Sequence, residues 1–292
     1  MEENNLTTYE KAVLRDKEAR QRLRDEKTLG RKLRFSYNPK LTPLFYPGNK
    51  ALIVDIHGGG FCFKSVLDND VYCDYISKRF DVAVLNADFT LSYEAPYPQQ
   101  IVDISAELVS LLEKENTLVG LPLYFVGHSS GATLAAACAI RLHRDMAISG
   151  CLLNYPFLDL AMDQSQRPTL PDTFPDFLLN DWIKMYCPYK ELLTRGDVSP
   201  LSLSSESIIG FPPSVITVTK RDRLQEDGRR FSKLLEEARI PNLLLEVDER
   251  HGFIERHMCH FYDLPDDPEV IQAKKTTDES LDWLLKNPIN SF

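Results

Sequence analysis

An apolar run, Leu123-Tyr124-Phe125-Val126, meets Gly127-His128-Ser129-Ser130-Gly131 and then an alanine-rich stretch from Ala132 to Ala139. Few local folds suit this order: it predicts a strand, a sharp turn with Ser129 at the tip, and a helix. Such a turn brings the residues two before and two after the serine close together. Gly127 and Gly131 suit those places because neither adds a side chain. Ser129 then stands clear of the backbone above a helix N-terminus, where the helix dipole leaves partial positive charge. A G-x-S-x-G arises by chance in roughly a few per cent of chains of this composition, so partners must be found elsewhere.

The flanking sequence alternates. Ala51 to Ile56 is a nearly continuous apolar run that opens into His57-Gly58-Gly59-Gly60, as a buried parallel strand does at its carboxyl end. The pattern predicts helix 70–79, strand 82–86, helix 99–115, the strand before Ser129, strand 148–154, strand 214–219, helix 226–239, strand 242–247 and a final helix over 277–285. This is an α/β fold: a right-handed, mostly parallel sheet with helices on both faces. Residues 34–37 and 44–46, hemmed by Pro39, Pro43 and Pro47, read as edge strands. Residues 9–27 read as a charged helix with a sparse apolar face. Between 161 and 197 the rhythm breaks under four prolines, and the segment carries Phe174, Phe177, Trp182 and Tyr186, as an insertion over the end of the sheet would.

At 292 residues the chain fits one large α/β domain, residues 1–292. No stretch approaches the roughly 20 apolar residues of a membrane span. A net charge of −9 argues against nucleic acid or an anionic lipid surface as a partner. The basic stretch from Arg15 to Arg34 is interleaved with Asp16, Glu18, Asp25 and Glu26 and reads as a solvated helix face. The six cysteines are scattered without C-x-x-C spacing, which favours reduced thiols over disulfides or a metal site. The acidic start, Met1 to Asn5, lacks the pattern of a secretory signal, so a cytoplasmic location is expected.

His57 followed by three glycines is the second strong signal, expected by chance on the order of once in a thousand such chains. A glycine run lets backbone N–H groups face a cavity, so Gly58 and Gly59, with the amide of Ser130, are candidate donors to a developing oxyanion. His57 itself is read as ordering the loop. A serine nucleophile needs a base, and the base needs an orienting carboxylate. Of His143, His251, His257 and His260, His251 is the best candidate, because it follows the strand near 242–247 and catalytic groups in open parallel sheets sit at the carboxyl ends of strands. By the same rule Asp222 is the acid. Asp248 and Glu249 read as solvated neighbours, and Asp159 and Asp197 are weaker alternatives. His128 adjoins the serine but should project to the opposite side of the turn, in a packing role.

With these residues assembled, the chain resembles the hormone-sensitive-lipase-like group of α/β-hydrolase fold esterases. The likeness runs from about Ala51 to the last helix through His57 to Gly60, Asn86 to Phe89, Pro96 to Pro98, Gly127 to Gly131, Tyr155 to Asp159, Ser199 to Leu201, Phe211 to Pro213, Asp222 to Leu224 and His251 to Phe253. The resemblance implies an eight-stranded sheet with a small helical cap, to which residues 1–35 and 161–197 contribute. It implies Ser129, Asp222 and His251 as the triad and Gly58, Gly59 and Ser130 as the oxyanion hole. The implied activity is hydrolysis of small, short-acyl carboxylic esters through an acyl-enzyme, with no metal or organic cofactor. His128, Ser130 and Arg223 depart from the group's usual Asp, Ala and Pro. Phe61, Phe63, Phe157, Trp182 and Phe253 are candidate walls for the substrate, the alternative being core. Amide or peptide cleavage shares every one of these groups; a binding protein on the same fold should lack a triad member.

Overall fold

A computed structural model of the chain describes residues 6–35, 37–171 and 173–288. Its sheet has eight strands: β1 (Arg31–Lys32), β2 (Leu44–Tyr46), β3 (Leu52–Ile56), β4 (Ala83–Ala87), β5 (Leu123–His128), β6 (Ile148–Asn154), β7 (Ser214–Arg221) and β8 (Asn242–Arg250). Their order is β1-β2-β4-β3-β5-β6-β7-β8. β1 and β2 run antiparallel at one edge and the other six are mutually parallel.

Alternation along the parallel strands divides the core in two. Leu52, Val54, Ile56, Phe125, Cys151, Leu153, Ile216 and Val218 face one side, where α3 (Gln99–Lys114), α4 (Ser130–Leu142) and α6 (Gln225–Glu237) pack. Ile53, Val84, Tyr124, Val126, Leu152 and Val215 face the other, under α2 (Asp70–Phe80), α7 (Phe253–Met258) and α8 (Pro268–Lys286). Burial on both faces explains the nearly continuous apolar runs.

The remaining helices, α1 (Thr8–Asp25) and α5 (Asp176–Tyr186), lie at the carboxyl end of the strands. A capping box starts α1: Thr7 Oγ1 accepts the Glu10 N–H at 3.2 Å and Glu10 Oε2 accepts the Thr7 N–H at 2.8 Å. α1 and α5 meet where the Thr8 hydroxyl donates to Asp181 Oδ2 at 2.8 Å. The segment before α5 is anchored by buried charges. Arg167 forks onto Asp227 of α6, Nη1 to Oδ1 at 2.5 Å and Nη2 to Oδ2 at 2.9 Å.

Three expectations change. The edge pairing uses Arg31–Lys32, while 33–35 and 37 form no strand and Ser36 lies outside the described residues. Leu44–Tyr46 is buried between β1 and β4 instead of at the edge. The last helix begins nine residues early, at Pro268, where the Asp267 side chain accepts the N–H groups of Glu269 and Val270; Asp-Pro is the start signal that apolar periodicity overlooks.

Candidate active site

Ser129 sits between β5 and α4 with φ 57° and ψ −119°, a strained backbone for a residue with a side chain. The strain is held by close packing. A Cβ on Gly127 would lie 2.3 Å from the Gly131 carbonyl oxygen, and one on Gly131 would lie 2.2 Å from that of Ile56. The Ser129 N–H donates to the Asn154 carbonyl at 2.9 Å, tying the turn to the end of β6.

β8 ends at Arg250, and His251 follows it directly. Its Nε2 lies 2.8 Å from Ser129 Oγ and its Nδ1 lies 2.6 Å from Asp222 Oδ2. Asp222 stands just past β7, fully buried, and its second oxygen accepts the Leu224 N–H at 3.0 Å. The Thr219 hydroxyl donates to Oδ2 at 3.2 Å. Burial alone would push this carboxyl up, but His251, Leu224 and Thr219 outweigh it and hold it below the usual carboxylate range. Three side chains from the ends of β5, β7 and β8 thus meet in one hydrogen-bonded line.

The glycine loop lies against the serine. A Cβ on Gly58 would come within 3.2 Å of Ser129 Cβ, so its backbone is in contact with the turn. The N–H groups of Gly58 and Gly59 have no acceptor among the described residues. That of Ser130, at the first position of α4, is one of the orphan donors that open any helix. The Ser130 side chain plays a separate part, because its Oγ accepts the N–H of Phe61 at 3.1 Å and fastens the loop to α4. His57 stacks on Phe89 with centroids 4.4 Å apart, and its Nδ1 is 2.8 Å from the Gly58 oxygen. Its place is under the loop, as expected, and burial pushes its imidazole below the ordinary value.

His128 does project away from the cavity. It is fully buried, with Nε2 3.0 Å from Asp55 Oδ1 and Nδ1 3.3 Å from the Tyr155 hydroxyl. Tyr155 donates to Glu255, and its ring meets His251 edge-on at 5.1 Å. Burial disfavours the imidazolium, yet Glu255 and Asp55 raise His128 above its ordinary value. Burial likewise opposes the Glu255 carboxylate, but Lys64, His128 and Tyr155 hold it at about 2. A buried chain of ionisable groups therefore backs His251. Its members Asp55 and Glu255 carry no local motif and are found only by folding the chain.

The other candidates are engaged elsewhere. Asp248 and Glu249 pair with Arg221, Asp159 with Arg230, Asp197 with Arg195, and His257 with Glu269. His143 Nδ1 faces the Ile140 carbonyl, and His260 is exposed.

A cavity of about 1010 Å³ opens over Ser129 and His251. Phe63 and Trp182 line it as expected. Phe61, Phe157 and Phe253 do not: each is at most 1% exposed and lies in the core. Phe61 stacks on Tyr186 at 4.0 Å, Arg167 covers Phe157, and Phe253 packs on Tyr155. Their place in the wall is taken by Phe174, Phe177 and Leu178 from the proline-broken segment. Phe174 lies 5.1 Å from the His251 ring and 5.0 Å from Trp182. Arg223, where the resembled group has Pro, is buried and fixes that segment. It donates to the Phe174 carbonyl at 2.7 Å, to the Gln164 carbonyl at 3.3 Å and to the Asp176 carboxylate.

Known proteins share this arrangement of chain. A family model described as alpha/beta hydrolase fold matches residues 53–255. An esterase of Acinetobacter venetianus is 29% identical over 201 residues, covering 65% of this chain and 62% of the relative. Esterase LipI of Mycobacterium tuberculosis is 30% identical over 219 residues, covering 70% of this chain and 65% of the relative. The matched part thus spans under two thirds of either curated relative. The crystal structure of carboxyl esterase 2 from Tuber melanosporum superposes with a TM-score of 0.75 at 21% identity, over 89% of this chain and 87% of that one. The family match extends over more than half of the chain and includes β5, β7, β8 and His251, so this chain belongs to the α/β-hydrolase fold family, in its hormone-sensitive-lipase-like group.

Proposed function

We propose that the chain is a serine hydrolase of small carboxylic esters that works through an acyl-enzyme. One observation carries the reading: Ser129 Oγ, His251 Nε2, His251 Nδ1 and Asp222 Oδ2 form a continuous line with contacts of 2.8 and 2.6 Å. His251 takes the Ser129 proton as Oγ attacks the ester carbonyl, and Asp222 holds the ring with Nδ1 protonated. The tetrahedral oxyanion is met by the amides of Gly58, Gly59 and Ser130. His251 gives its proton to the departing alcohol, then activates the water that releases the acid. The esterase names of the curated relatives support this class of substrate.

Of the segments expected to form a cap, residues 6–25 and the described part of 161–197 serve as one on the single domain, while Arg31–Lys32 join the sheet; the reading is supported by the Thr8–Asp181 contact and by Phe174 and Trp182 in the cavity wall. The net charge of −9 supports a small molecule over nucleic acid as the partner. No helix among the described residues is long and apolar enough to cross a membrane. Six free thiols support a reducing compartment, the cytoplasm. Ser129→Ala tests the central claim with 4-nitrophenyl acetate. The expected outcome is a fall in kcat of at least about 10⁴-fold, and turnover retained within about tenfold overturns the reading.

A further inference from the structure

Five cationic side chains line the cavity over Ser129 and His251: Lys11, Arg15, Arg22, Lys64 and Arg256. Only three carboxylates share the wall, in a chain where Asp and Glu outnumber Lys and Arg by 43 to 34. Within the wall the balance is the reverse of the global one, with Arg22 paired to Glu26 beside it at 2.9 Å. The three carboxylates are also engaged. Asp68 Oδ2 accepts the Ser65 N–H at 2.9 Å, Asp181 Oδ2 accepts the Thr8 hydroxyl at 2.8 Å, and Glu255 is buried on Tyr155 and His128.

The cations come from two sources that fold against each other. Lys11, Arg15 and Arg22 recur at four and eleven positions along α1, which puts them on one helix face, turned to the cavity. Arg15 and Arg22 of the basic stretch are exposed, as a solvated face requires, and also border the cavity. Arg15 lies 5.8 Å from the centre of the Phe63 ring, itself in the wall. Lys64 follows Phe63, whose N–H donates to the Gly59 carbonyl at 2.9 Å, so its ammonium stands on the loop that carries the oxyanion donors. Lys64 Nζ is 3.9 Å from Glu255 Oε1, and Lys11 has no ion pair among the described residues. A short neutral ester fills a small part of about 1010 Å³ and uses none of this charge.

We infer that the substrate is an ester bearing a carboxylate away from the scissile carbonyl, drawn in and held by Lys11, Arg15 and Lys64. The inference rests on the ester-hydrolase reading and narrows it. Charges that line a concave wall of low dielectric act on a ligand more strongly than the same charges on an open surface.

Two matched pairs test it on the full chain. One places the charge on the alcohol side, 4-acetoxybenzoate against its methyl ester; the other places it on the acyl side, 4-nitrophenyl hydrogen adipate against 4-nitrophenyl methyl adipate. At about 0.02 M salt the anionic member of at least one pair is expected to have a kcat/KM about tenfold higher, with the advantage shrinking toward parity at about 0.5 M. The pair that responds identifies the side on which the carboxylate sits. Lys11→Glu, at a half-buried position of α1, is expected to lower the anionic-to-neutral ratio about fivefold or more, and Lys64→Gln to lower it in the same sense. Neutral members favoured in both pairs, or a ratio unmoved in both variants, overturns the inference while leaving the ester hydrolase standing. Failure to hydrolyse any of the four esters overturns the hydrolase reading and this inference with it.

Discussion

Asp222→Asn isolates the orienting role proposed for the carboxylate, because the structure dictates which way the new amide must face. In the native site Oδ1 accepts the Leu224 N–H at 3.0 Å, while Oδ2 faces His251 Nδ1 at 2.6 Å. An asparagine keeps the first bond only by placing its carbonyl oxygen toward Leu224. Its NH₂ then faces His251 and donates to Nδ1, which forces the ring proton onto Nε2. A protonated Nε2 cannot accept the Ser129 proton. Serine hydrolases locked in that tautomer lose about 10⁴ in kcat, or roughly 5.4 kcal/mol of transition-state stabilisation. The escape is to rotate the amide and set two buried donors face to face, at about 1–3 kcal/mol; the rotated form also lacks the charge that stabilises an imidazolium. The expected loss is therefore between about 10² and 10⁴ in kcat, with KM nearly unchanged, read by steady-state turnover of 4-nitrophenyl acetate. A loss below about tenfold in a variant with native circular dichroism refutes the reasoning.

Arg223→Met removes the donors that hold the Phe174 and Gln164 carbonyls. A stability loss of about 1–3 kcal/mol in urea and a lower kcat/KM are expected, with Arg223→Lys restoring only part because an ammonium cannot fork; an unmoved urea midpoint refutes it. Glu255, held at about 2 against an ordinary 4.5, contributes stability that is present above its unfolded value and lost as pH falls from about 4.5 toward about 2. Glu255→Gln should therefore flatten the decline in urea midpoint between about pH 5 and pH 3, and an equally steep decline in the variant counts against this. Arg167→Ala strands the Asp227 carboxylate, which is fully buried and already pushed up by that burial. The expected cost is about 3–5 kcal/mol by urea denaturation, and a cost under about 1 kcal/mol would mean that the fork is not what compensates the charge.

Most of the frame was legible because the signals are local. The strands β3 and β5 announce themselves by nearly continuous apolar runs, and the turn at Ser129 by two glycines whose close approach no other residue permits. Asp222 and His251 follow from one topological rule about strand ends. What escaped depends on contacts distant in sequence. Phe61 and Phe63 are two positions apart in one loop, yet one stacks on Tyr186 in the core and the other faces the cavity, a difference set by Phe61's left-handed φ of 66° and the packing of α5. Arg223 looks like an accident beside Asp222 until the 164–176 segment folds over it. Lys11 and Arg15 show no tie to Ser129 until α1 is laid across the end of the sheet, where both border the cavity.

The bond from the Phe61 amide to Ser130 Oγ has its own consequence. An alanine in that place could not accept it, so in this chain the glycine loop is stapled to the very helix whose first residue follows Ser129. Loop and serine then drift together under thermal motion, and their separation is set at folding rather than at each encounter with substrate. Little solvent-like rearrangement is left for the moment of attack, and the Phe61 amide should exchange its hydrogen as slowly as the interior of the sheet does.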